Sequence, residues 1–149
     1  MDKCCKIAAV YISALKAIYI IHQHNHWTTE GTGFYGDHQL FQRLYESAQK
    51  DLDLAAEKFV GLFGSECLNF ALQTKLLNNL LNRYKPEEAN PFASSLAVEK
   101  DFIKLCKDAY NCFEEEGNLT LGLDDAIMSI SSNREEALYL LQQSMKDSQ

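Results

Sequence analysis

The spacing of the apolar residues constrains this chain more than any other feature. Ala8, Tyr11, Leu15, Ile18, His22 and His26 recur at three- and four-residue steps, as do Phe41, Leu44, Ala48, Leu52, Ala55, Phe59 and Phe63. That period gathers each set on one face of an α-helix. The two-residue alternation of a half-buried strand is not found along the sequence, so the chain reads as all-α, with helices that must bury their stripes against one another. At 149 residues, 46% of them hydrophobic and only two of them proline, a single domain spanning 1–149 can bury its own core.

Breaks in the pattern set the order of elements. A first helix is expected from about Lys3 to Thr28, stopped by Thr28-Thr29-Glu30-Gly31-Thr32-Gly33. A second runs from about Tyr35 to Phe63, with Gly64 as its C-terminal cap. Between Glu66 and Tyr84, Leu68, Phe70, Leu72, Leu76, Leu77, Leu80 and Leu81 predict a shorter helix, ended by Lys85-Pro86 and Asn90-Pro91. The third long helix opens near Ser94 or Ser95 as N-cap and is carried by Val98, Phe102, Leu105, Ala109 and Phe113 to Gly117. The last begins near Thr120 or Asp124 and is carried by Leu123, Ile127, Ile130, Leu138 and Leu141. Two helical hairpins joined by a long crossover let the second and third helices run parallel, which is the ferritin-like four-helix bundle with a short extra helix in the crossover.

The opening residues MDKCCKIAAVYISALKAIYII imitate a secretion signal, but Lys16 interrupts the apolar run and no small-residue cleavage site follows. This segment reads as a bundle helix, and no membrane span is expected. Cys4, Cys5, Cys67, Cys106 and Cys112 form an odd set without C-x-x-C spacing. They read as reduced thiols of a cytoplasmic protein, neither a disulfide framework nor a zinc site. The net charge of −7 argues against a surface that neutralises nucleic-acid phosphates and favours one that attracts cations.

Chemistry concentrates between His26 and Glu57. Imidazole and carboxylate together suit iron, zinc or manganese, which makes His26, His38, Asp53 and Glu57 the candidate ligands. His38 and Asp53 lie about 22 Å apart along one helix at 1.5 Å per residue, so they cannot hold one ion within one chain. Asp53 and Glu57, one turn apart, can face one ion together, and His26 can approach His38 across the hairpin. Two copies of the second helix packed antiparallel about a two-fold axis would bring the histidine end of one to the acidic end of the other, giving two identical sites. Taken singly, a buried histidine is more often a hydrogen-bonded core residue, and an Asp/Glu pair at this spacing more often a solvated face. No Glu-x-x-His, HExxH, phosphate-binding glycine loop or nucleophile elbow occurs.

The run resembles the signature of the Dps family, the mini-ferritins. There a histidine followed by tryptophan closes the first helix, a glycine-containing turn leads to phenylalanine, a second histidine follows, and an Asp-x-x-x-Glu pair comes later on the second helix. In this chain these are His26-Trp27, Gly31, Phe34, His38, and Asp53 with Glu57; Phe41 and Tyr45 also fit. Glu114-Glu115-Glu116-Gly117-Asn118 resembles the acidic end of the family's third helix, and Glu135 to Leu141 its closing segment, with Tyr139 in place of tryptophan.

The resemblance implies a hollow dodecamer that oxidises Fe(II) at sites shared between two-fold mates, preferentially with hydrogen peroxide, and stores ferric mineral inside, so protecting against oxidative damage. His26 and His38 of one subunit would face Asp53 and Glu57 of the other. Asp124 and Asp125 are candidates for an iron-entry pore, or one of them is an N-cap. Zinc or manganese are possible substitutes for iron.

One departure stands out: four residues after the second histidine the family usually has an acidic ligand, and this chain has Gln42. A neutral amide is the weaker donor, so one firm and one weak metal position are expected, with slower oxidation than the family norm; a cage with weak or lost oxidase activity is one alternative. Asp37 points about 100° away from His38 and cannot substitute. His22 reads as a locally hydrogen-bonded residue or an auxiliary ligand, and His24 as exposed. A DNA-protecting role is the other alternative. The chain enters its first helix with only Lys3 and Lys6 ahead of it and ends in Lys146-Asp147-Ser148-Gln149, so direct DNA binding is not expected.

Overall fold

The computed structural model of the chain describes residues 1–86 and 90–147. Five α-helices follow one another there: α1 Lys3–Thr28, α2 Phe34–Phe63, α3 Phe70–Arg83, α4 Pro91–Glu115 and α5 Leu121–Asp147, with a one-turn 3-10 helix at Ser65–Leu68. The chain is a ferritin-like four-helix bundle with α3 in the crossover, as the apolar spacing required. α1 packs against α2, α4 and α3, and α5 closes the bundle against α4 and α2. α1 is long and apolar enough to cross a bilayer, but two thirds of its most apolar stretch is buried among its neighbours. Ser148 and Gln149, which entered the reading against DNA binding, lie outside the described residues.

Local chemistry fixes the helix ends. The Asp2 carboxylate accepts from the Cys5 amide at 2.8 Å and caps α1. Between α1 and α2, Gly31 and Gly33 take φ of 88° and 84°, left-handed conformations that a side chain would strain. They let the chain reverse within five residues. α4 begins earlier than Ser94: Pro91 is its first residue, and the Asn90 side chain caps it by accepting from the Phe92 amide. Ser94 and Ser95 are instead buried inside the helix, facing α1. At the head of α5, the Thr120 hydroxyl accepts from the Leu123 amide at 3.0 Å. Thr120 is therefore the cap, and neither Asp124 nor Asp125 is.

The buried apolar residues form two clusters. The larger is built around Tyr11, Phe59, Phe102 and Phe113, and the smaller, near the α1–α2 turn, around Phe41, Leu44, Phe92 and Leu141.

Cys5 and Cys67 form a disulfide that ties the first turn of α1 to the 3-10 turn after α2, with Cα atoms 5.0 Å apart. This corrects the reading of five reduced thiols. The two residues are 62 positions apart, so only tertiary packing brings them together. The argument from free thiols to a cytoplasmic location loses these two residues as support. Cys4, Cys106 and Cys112 remain buried thiols.

Candidate metal centre

The tight α1–α2 turn brings the last helical turn of α1 beside the first turns of α2, and His26 and His38 meet there. Their rings stack with centroids 3.8 Å apart and planes 16° from parallel. Each donates to the other's backbone: His26 Nδ1 lies 2.7 Å from the His38 carbonyl oxygen, and His38 Nδ1 lies 2.7 Å from the His26 carbonyl oxygen. A carbonyl only accepts, so both Nδ1 atoms carry the proton. Both Nε2 lone pairs therefore remain as candidate metal donors. Second-partner hydrogen bonds of this kind fix the tautomer and orientation of a ligating imidazole.

Asp53 and Glu57 lie exposed, far along α2; the helix rise puts Asp53 about 22 Å from His38. Among the described residues, no three His, Cys, Asp or Glu side chains of one chain gather as a metal site. The chain thus brings the histidine pair together and keeps the acidic pair apart from it. Gln42 is exposed on α2, and its Nε2 donates to Glu46 Oε1 at 3.0 Å, which leaves the amide oxygen as the only donor atom Gln42 can offer a cation. Asp124 takes a long hydrogen bond from the Tyr110 hydroxyl, 3.4 Å, while Asp125 is exposed. Among the described residues, no shared contact joins the two carboxylates to each other.

His22 belongs to a different structure, one the sequence reading did not find. In the bundle centre, where the two apolar clusters adjoin, sits a buried polar layer with one charged or titratable residue from each long helix: His22, Asp51, Glu99 and Arg134, none more than 2% exposed. The Asn25 amide donates to Ser95 Oγ at 2.7 Å, and the Ser95 hydroxyl in turn donates to His22 Nδ1 at 2.8 Å. His22 Nε2 then donates to Glu99 Oε1 at 2.9 Å. The Arg134 guanidinium pairs with Glu99 at 3.3 Å and with Asp51 at 3.4 Å. It also donates to Ser47 at 2.8 Å, and Asn133 donates to Asp51 at 2.9 Å.

Burial holds His22 below its ordinary value against the opposing pull of Glu99, and raises Asp51 above the usual carboxylate range. With both ring nitrogens engaged, His22 has none left for a metal. The signal was present in the sequence: Asp51, Glu99 and Arg134 each sit at an inward position of their helix's apolar stripe. His24 is half-buried, beside Leu81, Tyr84 and Pro86, where exposure had been expected.

No family model matches the chain. The backbone superimposes on Dps from Thermosynechococcus elongatus with a TM-score of 0.81 over 96% of this chain and 90% of that one, at 16% identity. The chain has the Dps fold. Dps from Microbacterium arborescens, in its high iron form, gives a TM-score of 0.75 over 96% of this chain and 92% of its own, at 14% identity. In sequence, the Dps-like chain is 26% identical over 92 residues to a nutrient stress-induced DNA-binding protein of Nostoc sp. (strain PCC 7120), a match spanning 62% of this chain but only 47% of that protein. Resemblance to the Dps proteins, first seen in the spacing of the candidate ligands, thus extends in the fold to 96% of the chain.

Proposed function

We propose that this chain is a Dps-type mini-ferritin that binds Fe(II) at sites shared by two subunits, oxidises it, preferentially with hydrogen peroxide, and retains the ferric product in a hollow dodecamer. The observation that carries the reading is the histidine pair, whose reciprocal bonds to each other's carbonyls reserve both Nε2 atoms for a cation. Asp53 and Glu57 of a two-fold mate supply the carboxylates. The exposed aromatic residues Trp27 and Tyr35 flank the histidine pair and give a second copy an apolar surface to bury.

His26 and His38 orient the ion, the partner's acidic pair neutralises its charge, and Gln42 offers a second ion only an amide oxygen. Two Fe(II) give one peroxide the two electrons it needs, and with two protons the products are two Fe(III) and two waters. Asp124 and Asp125 are the candidates for guiding iron inward. Zinc and manganese suit the same donors and compete with iron.

The test is anaerobic Fe(II) titration followed by peroxide, on protein whose mass is measured in solution. A large symmetric assembly with peroxide-driven oxidation is expected, and His26→Ala with His38→Ala abolishes iron binding without dissolving the fold. A monomer inert to peroxide would sink the reading. The name of the Nostoc relative favours DNA binding as a second reading, against which stands the charge of −7. Retarded DNA in a gel-shift at low salt would establish it.

A further inference from the structure

A column of rings runs from the histidine pair into the α1–α2 interface. Phe34 stacks on His38 with centroids 4.9 Å apart, and His38 stacks on His26. The His26 ring meets Tyr45 at 5.4 Å in an edge-on arrangement, and Tyr45 meets Tyr19 at 5.4 Å and 82°. The Tyr19 hydroxyl accepts from Gln23 Nε2 at 3.2 Å. All these separations are van der Waals contact between aromatic rings. Electron tunnelling decays exponentially with distance, so contact of this kind couples Tyr45 to whatever His26 binds.

An electron count gives that coupling a use. Reducing peroxide to two waters takes two electrons, whereas one Fe(II) yields one. If Gln42 in place of an acidic ligand leaves the second iron position weak, as the proposed function has it, a site can meet peroxide holding a single iron. A lone one-electron donor splits peroxide into hydroxide and hydroxyl radical unless a second electron arrives at once.

Resting on the iron-oxidising reading, we propose that Tyr45 supplies that second electron, with Tyr19 as the next station. The balanced step takes one Fe(II), the Tyr45 phenol, one peroxide and one proton to one Fe(III), a Tyr45 phenoxyl radical and two waters. The iron and the phenol are oxidised, the O–O bond breaks, and the phenolic proton passes to solvent and ends in water. The column then spreads the oxidising equivalent away from the ligands, which spares the histidines.

Anaerobic full-length protein loaded with one Fe(II) per subunit is mixed with peroxide, freeze-quenched and examined by EPR, with a spin trap for hydroxyl radical run in parallel. The wild type is expected to show a phenoxyl signal and little trapped radical. Tyr45→Phe keeps the ring and its packing, loses the signal and releases hydroxyl radical, while still binding iron. Tyr19→Phe retains the signal on Tyr45. Iron oxidation by the wild type with no phenoxyl signal, or an unchanged signal and unchanged trapping in Tyr45→Phe, overturns the inference and leaves the iron-oxidising reading intact. Absence of iron oxidation in the wild type overturns both.

Discussion

Gln42 and Arg134 show how much rests on single side chains here. On the proposed function, Gln42→Asp gives the second metal position a charged donor. We expect its iron affinity to rise about tenfold, or about 1.4 kcal/mol, with faster iron oxidation in stopped-flow measurements; an unchanged rate would count against Gln42 as the weak ligand. Arg134 compensates two buried carboxylates at once. Arg134→Met strands them, and we expect urea denaturation to show a loss of about 3–5 kcal/mol. Burial holds His22 below the ordinary histidine value of 6.5, while the unfolded chain takes up its proton near that value. As pH falls below 6.5 the unfolded state binds more protons than the native one, so stability declines toward the native pKa. Melting curves at descending pH should show this, and His22→Gln should flatten it.

At the scale of elements, the short turn holding Gly31 and Gly33 brings the end of α1 beside the start of α2, so that His26 and His38 meet. The length of α2 keeps its acidic end away from them. A helix is a rigid spacer of about 1.5 Å per residue, so no side-chain adjustment brings Asp53 to His38 within one chain. The Cys5–Cys67 bridge acts on another pair of elements, joining the start of α1 to the crossover. It closes a loop of 62 residues, and the chain-entropy model gives it about 4 kcal/mol by restricting the unfolded chain. Cys67→Ser, or reduction of the wild type, should lower the urea midpoint accordingly, while the histidine pair at the far end of α1 keeps its metal affinity. A variant as stable as the oxidised wild type would show that the bridge is energetically idle.

The whole molecule supplies a test that no single chain can. If each site takes histidines from one subunit and carboxylates from the other, two inactive variants should rescue one another. A His26→Ala/His38→Ala chain carries an intact acidic half-site, and an Asp53→Ala/Glu57→Ala chain an intact histidine half-site. Dissociated and reassembled together, half of the dimers are mixed and each holds one complete site of two, so about a quarter of wild-type oxidation should return. No recovery, with mixed assemblies verified by native mass spectrometry, would overturn the shared-site reading.

The sequence by itself determined the helices, their order and the parallel pairing forced by a long crossover, because a three- and four-residue apolar period and glycine or proline breaks are local signals. It also exposed the spacing of the candidate ligands, and with it the inference that one chain cannot gather all four of them, since helix rise is a constant. The α4 cap escaped because Ser94 and Ser95 are good caps in isolation, whereas Pro91 and Asn90 end the turn first. Only tertiary structure decided which histidines face which partners: His26 and His38 reach each other's carbonyls, while His22, one turn away on α1, is consumed by Ser95 and Glu99. It alone joined Cys5 to Cys67 and gathered Asp51, Glu99 and Arg134 around one buried centre. Contacts between residues dozens of positions apart depend on how helices pack, and no periodicity within one helix encodes them.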